Sequence, residues 1–270
     1  MRLRSIISLP ASGPGLAAAL ESQADAVVFT LADDNLPVAD LRAAAVSGTK
    51  EAAAAGKAVL ITVNHPRTRL TREDIAAVLA PEVKGILIPH AVEPQDVRDL
   101  AVLLREFELQ RGIEPGETHL WPVIDTARGL LRSNEIAMAA PRVGGLVFHS
   151  RHYAHDIEAR DEQKGDRLAF ARGQVVAVAR AIGGQPLIAA DGLESQYLSH
   201  CGFAGVIMKD TRMVPAANAA FTPYDEVRTQ YQQALERFEQ ARIAGMWVAR
   251  HGERVIDSLA ARRARRHVDG

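Results

Sequence analysis

The chain has 270 residues, 47% of them hydrophobic, with a formal net charge of −1 and a single cysteine. The near-balanced charge excludes the broad basic field that nucleic acid or an anionic membrane would call for. One cysteine excludes a disulfide within the chain and suits a reducing, cytoplasmic setting.

Eight short apolar runs recur along the chain: Ser5–Pro10, Ala26–Leu31, Val59–Asn64, Gly85–His90, His119–Asp125, Gly144–His149, Pro186–Asp191 and Gly205–Asp210. Runs of this length bounded by polar or turn residues read as strands. The stretches between them read as helices. Gly15 to Gln23 is short and alanine-rich; Pro37 to Ala55 has a proline start and stops at Gly56. Thr71-Arg72-Glu73-Asp74 has the form of a capping box. Pro94 to Gln110 places Val97, Leu100, Leu103, Leu104 and Phe107 on one face. Arg128 to Ala139 and Asp166 to Ile182 follow the same pattern, and Glu194 to His200 makes an abbreviated seventh unit. The expectation is an α/β fold, a (β/α)8 TIM barrel over residues 1–223, which suits the usual size of about 250 residues.

Residues 224–270 have no place in such a barrel. Tyr224 to Ala244 reads as a long amphipathic helix, and Met246–Arg250 and Glu253–Ile256 flank His251-Gly252 as a hairpin. A last helix runs from Ser258 to His267. This C-terminal helix–hairpin–helix extension is expected to pack on its own barrel or to reach a neighbouring subunit as a lid or arm. The run Arg262-Arg263-Ala264-Arg265-Arg266 reads as a basic helix end that complements the helix dipole. No apolar run nears the ~18–20 residues of a membrane span. Met1-Arg2-Leu3-Arg4 enters a strand directly, with no signal-peptide core.

In such a barrel, chemistry sits at the C-terminal ends of the strands. Asp33 and Asp34 follow the second run and His65 the third, while His90, Asp125 and His149 close the fourth, fifth and sixth. His152 and His155 follow in the polar segment Arg151–Asp156, read as a loop. Each has a plainer alternative. Asp125 and Asp33 are also placed to cap helices, and His65 beside Pro66-Arg67-Thr68-Arg69 reads as a surface loop. Asp191 and Cys201 read as structural, and His119 begins its strand at the wrong end for catalysis.

The segments Arg4-Ser5…Pro10-Ala11-Ser12, Ala24–Val28, Leu31–Asp34 and Val63-Asn64 resemble the start of the citrate lyase beta-subunit-like family of the HpcH/HpaI aldolase superfamily. The likeness continues through Gly85–His90, Ile124–Gly129, Leu146–Phe148, Ala171-Arg172, Gly202–Gly205, Asn218–Pro223 and Gly252–Asp257. The resemblance implies a (β/α)8 barrel that forms homo-oligomers, often trimers. It also implies Mg²⁺-dependent cleavage or formation of carbon–carbon bonds in CoA or carrier-protein thioesters of the citryl, malyl or citramalyl kind. A dication offsets the negative charge that such a step builds on oxygen.

Against the family pattern the pocket is rewritten. The positions of the metal-binding Glu and Asp hold Asp125 and His152. The carboxylate-binding Arg corresponds to Thr62, the Glu beside Asp33 to Ala32, and the Lys after the fourth strand to His90. The motif after the eighth strand reads Lys209-Asp210-Thr211. Asp125 and His152 are the expected metal site, with His90 and His149 available to complete it. The nitrogen of His152 moves preference from Mg²⁺ towards Zn²⁺, Mn²⁺ or Fe²⁺. Arg4, Thr62, His90 and Arg67 are the candidate substrate-binding residues; Arg67 stands in for the missing anion anchor, and Arg4 is expected near the barrel mouth, to hold an anion or, equally, to form a surface salt bridge. Asp33 is expected to orient groups around the metal. Asp257 matches a tail Asp that serves neighbouring subunits as an acid/base lid residue, and it is also placed to cap the last helix. The expected function is a metal-dependent carbon–carbon lyase on a hydroxyacyl thioester. Two alternatives stand beside it: a non-catalytic homologue that binds a small ligand or partner, and a class II aldolase acting on free keto acids.

Overall fold

A computed structural model describes residues 3–10, 15–31, 37–159, 166–189, 194–222, 225–252 and 254–268. The chain forms two compact units that divide between Phe221 and Thr222.

The first unit is a closed barrel of eight parallel strands in sequential order. The strands are β1 (Ser5–Pro10), β2 (Ala26–Thr30), β3 (Ala58–Thr62), β4 (Val83–Ile88), β5 (His119–Ile124), β6 (Gly145–His149), β7 (Gln185–Ala189) and β8 (Gly205–Met208). The eight apolar runs are these strands, because strands buried on both faces read as continuous apolar segments.

Side chains alternate across each strand and so divide the core in two. One set faces the surrounding helices, around Phe29, Ile61, Ile86 and Phe148. The other fills the lumen, around Ile6, Val28, Leu60, Leu87, Trp121, Val123, Val147, Leu187 and Ile207. Trp121 fits there because glycines face it. A Cβ on Gly85 would stand 2.7 Å from the indole Nε1, and one on Gly145 would stand 2.7 Å from Cζ3. Removing so large a buried side chain typically costs about 3–5 kcal/mol.

The helices around the barrel are α1 (Leu16–Glu21), α2 (Val38–Ala54), α3 (Thr71–Val78), α4 (Pro94–Gln110), α5 (Ala127–Leu131), α6 (Ser133–Ala137), α7 (Ser150–Asp156), α8 (Ala169–Ala181), α9 (Ser195–His200) and α10 (Val214–Phe221). Three differ from expectation. The capping box expected at Thr71 is absent, because the Thr71 hydroxyl donates to the carbonyls of Asn64 and His65. A capping box forms instead at Glu93 and Asp96, opening α4. The helix expected over Arg128 to Ala139 is broken at Arg132 into α5 and α6. The polar segment after β6, read as a loop, is the helix α7, anchored by Tyr153 against Phe148 at 5.3 Å between ring centroids.

The second unit holds α11 (Asp225–Ile243), an antiparallel hairpin of β9 (Ala249–His251) and β10 (Arg254–Ile256), and α12 (Ser258–Val268). Gly252 takes φ 62° in the turn, a left-handed conformation that favours glycine. The unit has its own small core of Phe238, Ala241, Ala249, Ile256 and Ala261. No helix among the described residues is long and apolar enough to cross a membrane.

Candidate metal site at the C-terminal end of the barrel

Asp125 directly follows β5 and shares the lumen-facing parity of Trp121 and Val123. It is only 2% exposed. The cap of the following helix is not made by Asp125 but by Thr126, whose hydroxyl accepts from the Gly129 N–H at 3.0 Å. The Asp125 carboxylate is therefore free of helix duty and stands above the apolar lumen.

His90 follows β4 in a left-handed conformation, φ 48°. For a residue with a Cβ this costs on the order of 1–3 kcal/mol and needs support from its surroundings. The support is visible on the C-terminal side. The Ala91 N–H donates to the Val123 carbonyl at 3.1 Å, and the Val92 and Glu93 N–H groups donate to Oδ2 of buried Asp96 at 3.3 and 3.0 Å. Gly129 allows this loop to pass close by, since a Cβ there would stand 2.6 Å from the Ala91 carbonyl oxygen. So held, His90 directs Nδ1 to 2.7 Å from Oδ2 of Asp125.

His152 lies in the first turn of α7. Its backbone N–H donates to Nδ1 of His149, the helix N-cap, at 3.3 Å. The His152 ring stacks on His149, with centroids 3.8 Å apart, and lies nearly parallel to His90 at 5.9 Å. Its Nδ1 stands 3.7 Å from Oδ2 of Asp125. The candidate ligand atoms of His90, Asp125 and His152 all lie within 4.8 Å of one another.

Burial is the largest influence on Asp125 and pushes its carboxyl above the usual carboxylate range, while His90 and His152 oppose the shift. Oδ1 of Asp125 is buried and has no hydrogen-bond partner among the described residues. A buried, unpartnered carboxylate oxygen is costly, and a cation is the natural complement to it. Donor atoms on a tetrahedral ion at about 2.0–2.2 Å sit roughly 3.4 Å apart; the 3.7 Å separation of His152 is close to that spacing, while His90, at 2.7 Å, would draw back from Oδ2 for both to hold one ion. These residues fit a divalent metal.

The other expected residues distribute as follows. Thr62 ends β3 with the lumen-facing parity of Leu60 and brings no charge to the mouth. Arg67 lies after β3, at the same end of the barrel, but its Nε donates to Asp96 at 3.0 Å. Arg4 is corrected: it precedes β1 and therefore lies at the opposite, N-terminal end. There it makes a bidentate pair with Asp25, Nε to Oδ2 at 2.9 Å and Nη2 to Oδ1 at 2.6 Å. Asp33 and Asp191 fall outside the described residues. Asp257 sits in the second unit and caps α12, its Oδ1 accepting from the Ala260 N–H at 2.8 Å. Asp96, which ties His65, Arg67 and the His90 loop together, was not singled out from the sequence. Its signal is the Glu93-Pro94-Gln95-Asp96 spacing at the start of a helix.

The model of the HpcH/HpaI aldolase/citrate lyase family matches residues 4–201. The chain belongs to this family. Among HpcH/HpaI relatives, citrate lyase subunit beta of Leuconostoc mesenteroides is 24% identical over 220 residues, covering 77% of this chain and 72% of its own. The (3S)-malyl-CoA thioesterase of Cereibacter sphaeroides is 28% identical over 277 residues, covering 95% and 90%. Among solved structures, a citrate lyase from Burkholderia xenovorans superposes with a TM-score of 0.73 at 16% identity, over all of this chain and 91% of its own. CitE of Mycobacterium tuberculosis, in complex with magnesium, acetoacetate and coenzyme A, gives 0.66 at 17% identity, over 98% and 97%. At these identities the structural likeness speaks for the fold.

Proposed function

We propose that this HpcH/HpaI-family protein is a divalent-metal-dependent carbon–carbon lyase that cleaves a hydroxyacyl-CoA or carrier-protein thioester. The observation that carries the reading is the cluster of His90, Asp125 and His152 at the catalytic end of the barrel, with the Oδ1 of Asp125 unpartnered. Asp125 and His152 hold the ion, and an ion bound there supplies positive charge to offset the charge that builds on substrate oxygen. Leu87, Val123, Val147 and Leu187 form an apolar floor that keeps water from beneath the reacting groups. Thr62 offers a hydroxyl to the substrate in place of a guanidinium, and Arg67 a cation from the rim. Asp257, carried on the arm of a neighbouring subunit in a homo-oligomer such as a trimer, moves a proton to and from the carbon next to the thioester. Asp33 orients groups around the ion. A cytoplasmic setting suits the single cysteine.

A second reading is hydrolysis of the thioester itself, favoured by the 28% identity over 95% of the chain to a (3S)-malyl-CoA thioesterase. Incubation of metal-loaded protein with malyl-, citramalyl- and citryl-CoA separates the two by mass spectrometry. A keto acid with a shortened acyl-CoA supports the lyase, and free CoA with an intact hydroxy acid supports the hydrolase. Turnover only of free keto acids with aldehydes, or no turnover of any substrate, overturns both. If Asp257→Ala leaves turnover unchanged, the lid role is wrong.

A further inference from the structure

The family resemblance gives this site two ligands and a hard cation. Of the two histidines available to complete the pair of Asp125 and His152, the geometry selects His90. We propose that His90, Asp125 and His152 form a three-ligand, two-nitrogen-one-oxygen site that selects a first-row transition ion of the Zn²⁺, Co²⁺ or Fe²⁺ kind over Mg²⁺. This rests on the reading that a divalent ion is held at this end of the barrel, and it names that ion's class.

The donor set favours such an ion. Mg²⁺ takes oxygen ligands in near-octahedral geometry and is poorly served by imidazole. Imidazole suits zinc, iron, copper and nickel, and two histidines with one carboxylate and open positions are a recurrent transition-metal arrangement. Asp125 contributes the single carboxylate of the cluster, so two of its three donor groups are nitrogens.

Both imidazoles are oriented by their surroundings. His90 holds a left-handed backbone, φ 48°, and from it brings Nδ1 to 2.7 Å from Asp125. The loop is fixed by the bonds of Ala91 to Val123 and of Val92 and Glu93 to Asp96. His152 is fixed separately, by its stacking on His149 at 3.8 Å and by the N–H it donates to that residue. Both imidazoles are thus set on the same carboxylate by independent supports. Supports of this kind are what orient metal ligands.

The number of ligands and the access to them also suit a catalytic ion. Three protein ligands leave a further position for substrate, as in catalytic zinc sites. His90 and His152 are 59% and 53% exposed while Asp125 is 2% exposed, so the cluster has an apolar floor and an open top.

The test uses the full-length protein freed of metal by chelation and then titrated with Co²⁺, whose visible absorption reports its ligands directly. Saturable binding with the intense bands of a low-coordinate nitrogen–oxygen site is expected. Zn²⁺ should displace the ion at comparable concentration, and a large excess of Mg²⁺ should not. His90→Asn, which tolerates a left-handed backbone, should weaken Co²⁺ binding by about tenfold or more and change the spectrum, since loss of even an outer partner costs that much. His119→Ala, at the other end of β5, should change neither. Displacement of Co²⁺ by equimolar Mg²⁺, or an unchanged affinity and spectrum in His90→Asn, overturns this inference and leaves the metal-dependent lyase standing. Failure of the wild-type protein to bind Co²⁺, Zn²⁺ or Mg²⁺ overturns both.

Discussion

Nδ1 of His90 lies 2.7 Å from Oδ2 of Asp125, while the other oxygen of that carboxylate is buried without a partner among the described residues. The two residues extend adjacent strands, and the pairing of Leu87 with Trp121 and Ile88 with Pro122 sets their register. Their meeting therefore rests on the barrel register together with the left-handed backbone of His90.

Asp96 governs whether that meeting is kept. It is 2% exposed, accepts from the Val92 and Glu93 N–H groups just beyond His90, and accepts from Arg67 at 3.0 Å. Asp96→Ala is expected to cost about 3 kcal/mol in urea unfolding, the scale of several lost charge-assisted bonds. It should also weaken metal binding by roughly tenfold, as for other residues that orient ligands. Lost stability with unaltered metal affinity would show that the His90 loop does not depend on it.

Arg4 gives the opposite expectation. Its pairing with Asp25 lies at the N-terminal end of the barrel. Arg4→Ala should lower stability by about 1 kcal/mol, the scale of a well-formed ion pair near the surface. Metal affinity and turnover should stay at wild-type values; a fall in either would return Arg4 to the site.

The contrast between these residues shows what the sequence carries. Strands buried on both faces announce themselves as apolar runs, so all eight were placed within a few residues and the barrel followed. Asp125 and His152 were identified through the resemblance, and strand parity now explains why Asp125 faces the lumen. The approach of His90 to Asp125 depends on a positive φ that no residue pattern around a histidine reveals. Helix α7 is short and polar, held by a histidine cap and by Tyr153, so its residues read as a loop. Arg4 was expected near the mouth, yet it precedes the first apolar run and so lies at the N-terminal end, where it forms the salt bridge to Asp25 that was its alternative. Thr71 has the residue type of a cap, but its hydroxyl serves two carbonyls of the preceding loop.

His65 supplies a pH dependence. Burial is the largest influence on its imidazole and pushes the pKa below the ordinary value, with Asp96 at 3.6 Å partly opposing the shift. The folded state therefore binds the proton less readily than the unfolded chain. The contribution to stability is complete above about pH 6.5, the unperturbed value, and is lost as pH falls through the lower folded value. Thermal unfolding should show a larger drop on acidification across this window in the wild type than in His65→Gln. Parallel curves would show that His65 is not the titrating group.

The most direct test of the account is calorimetry on metal-free wild-type protein and Asp125→Ala, titrated with Mg²⁺, Mn²⁺ and Zn²⁺ in the presence of oxalate as an enolate mimic. The account predicts saturable binding in the wild type, strengthened by oxalate, and its loss in the variant. Absence of binding to any of the three ions, or equal binding by Asp125→Ala, would contradict it.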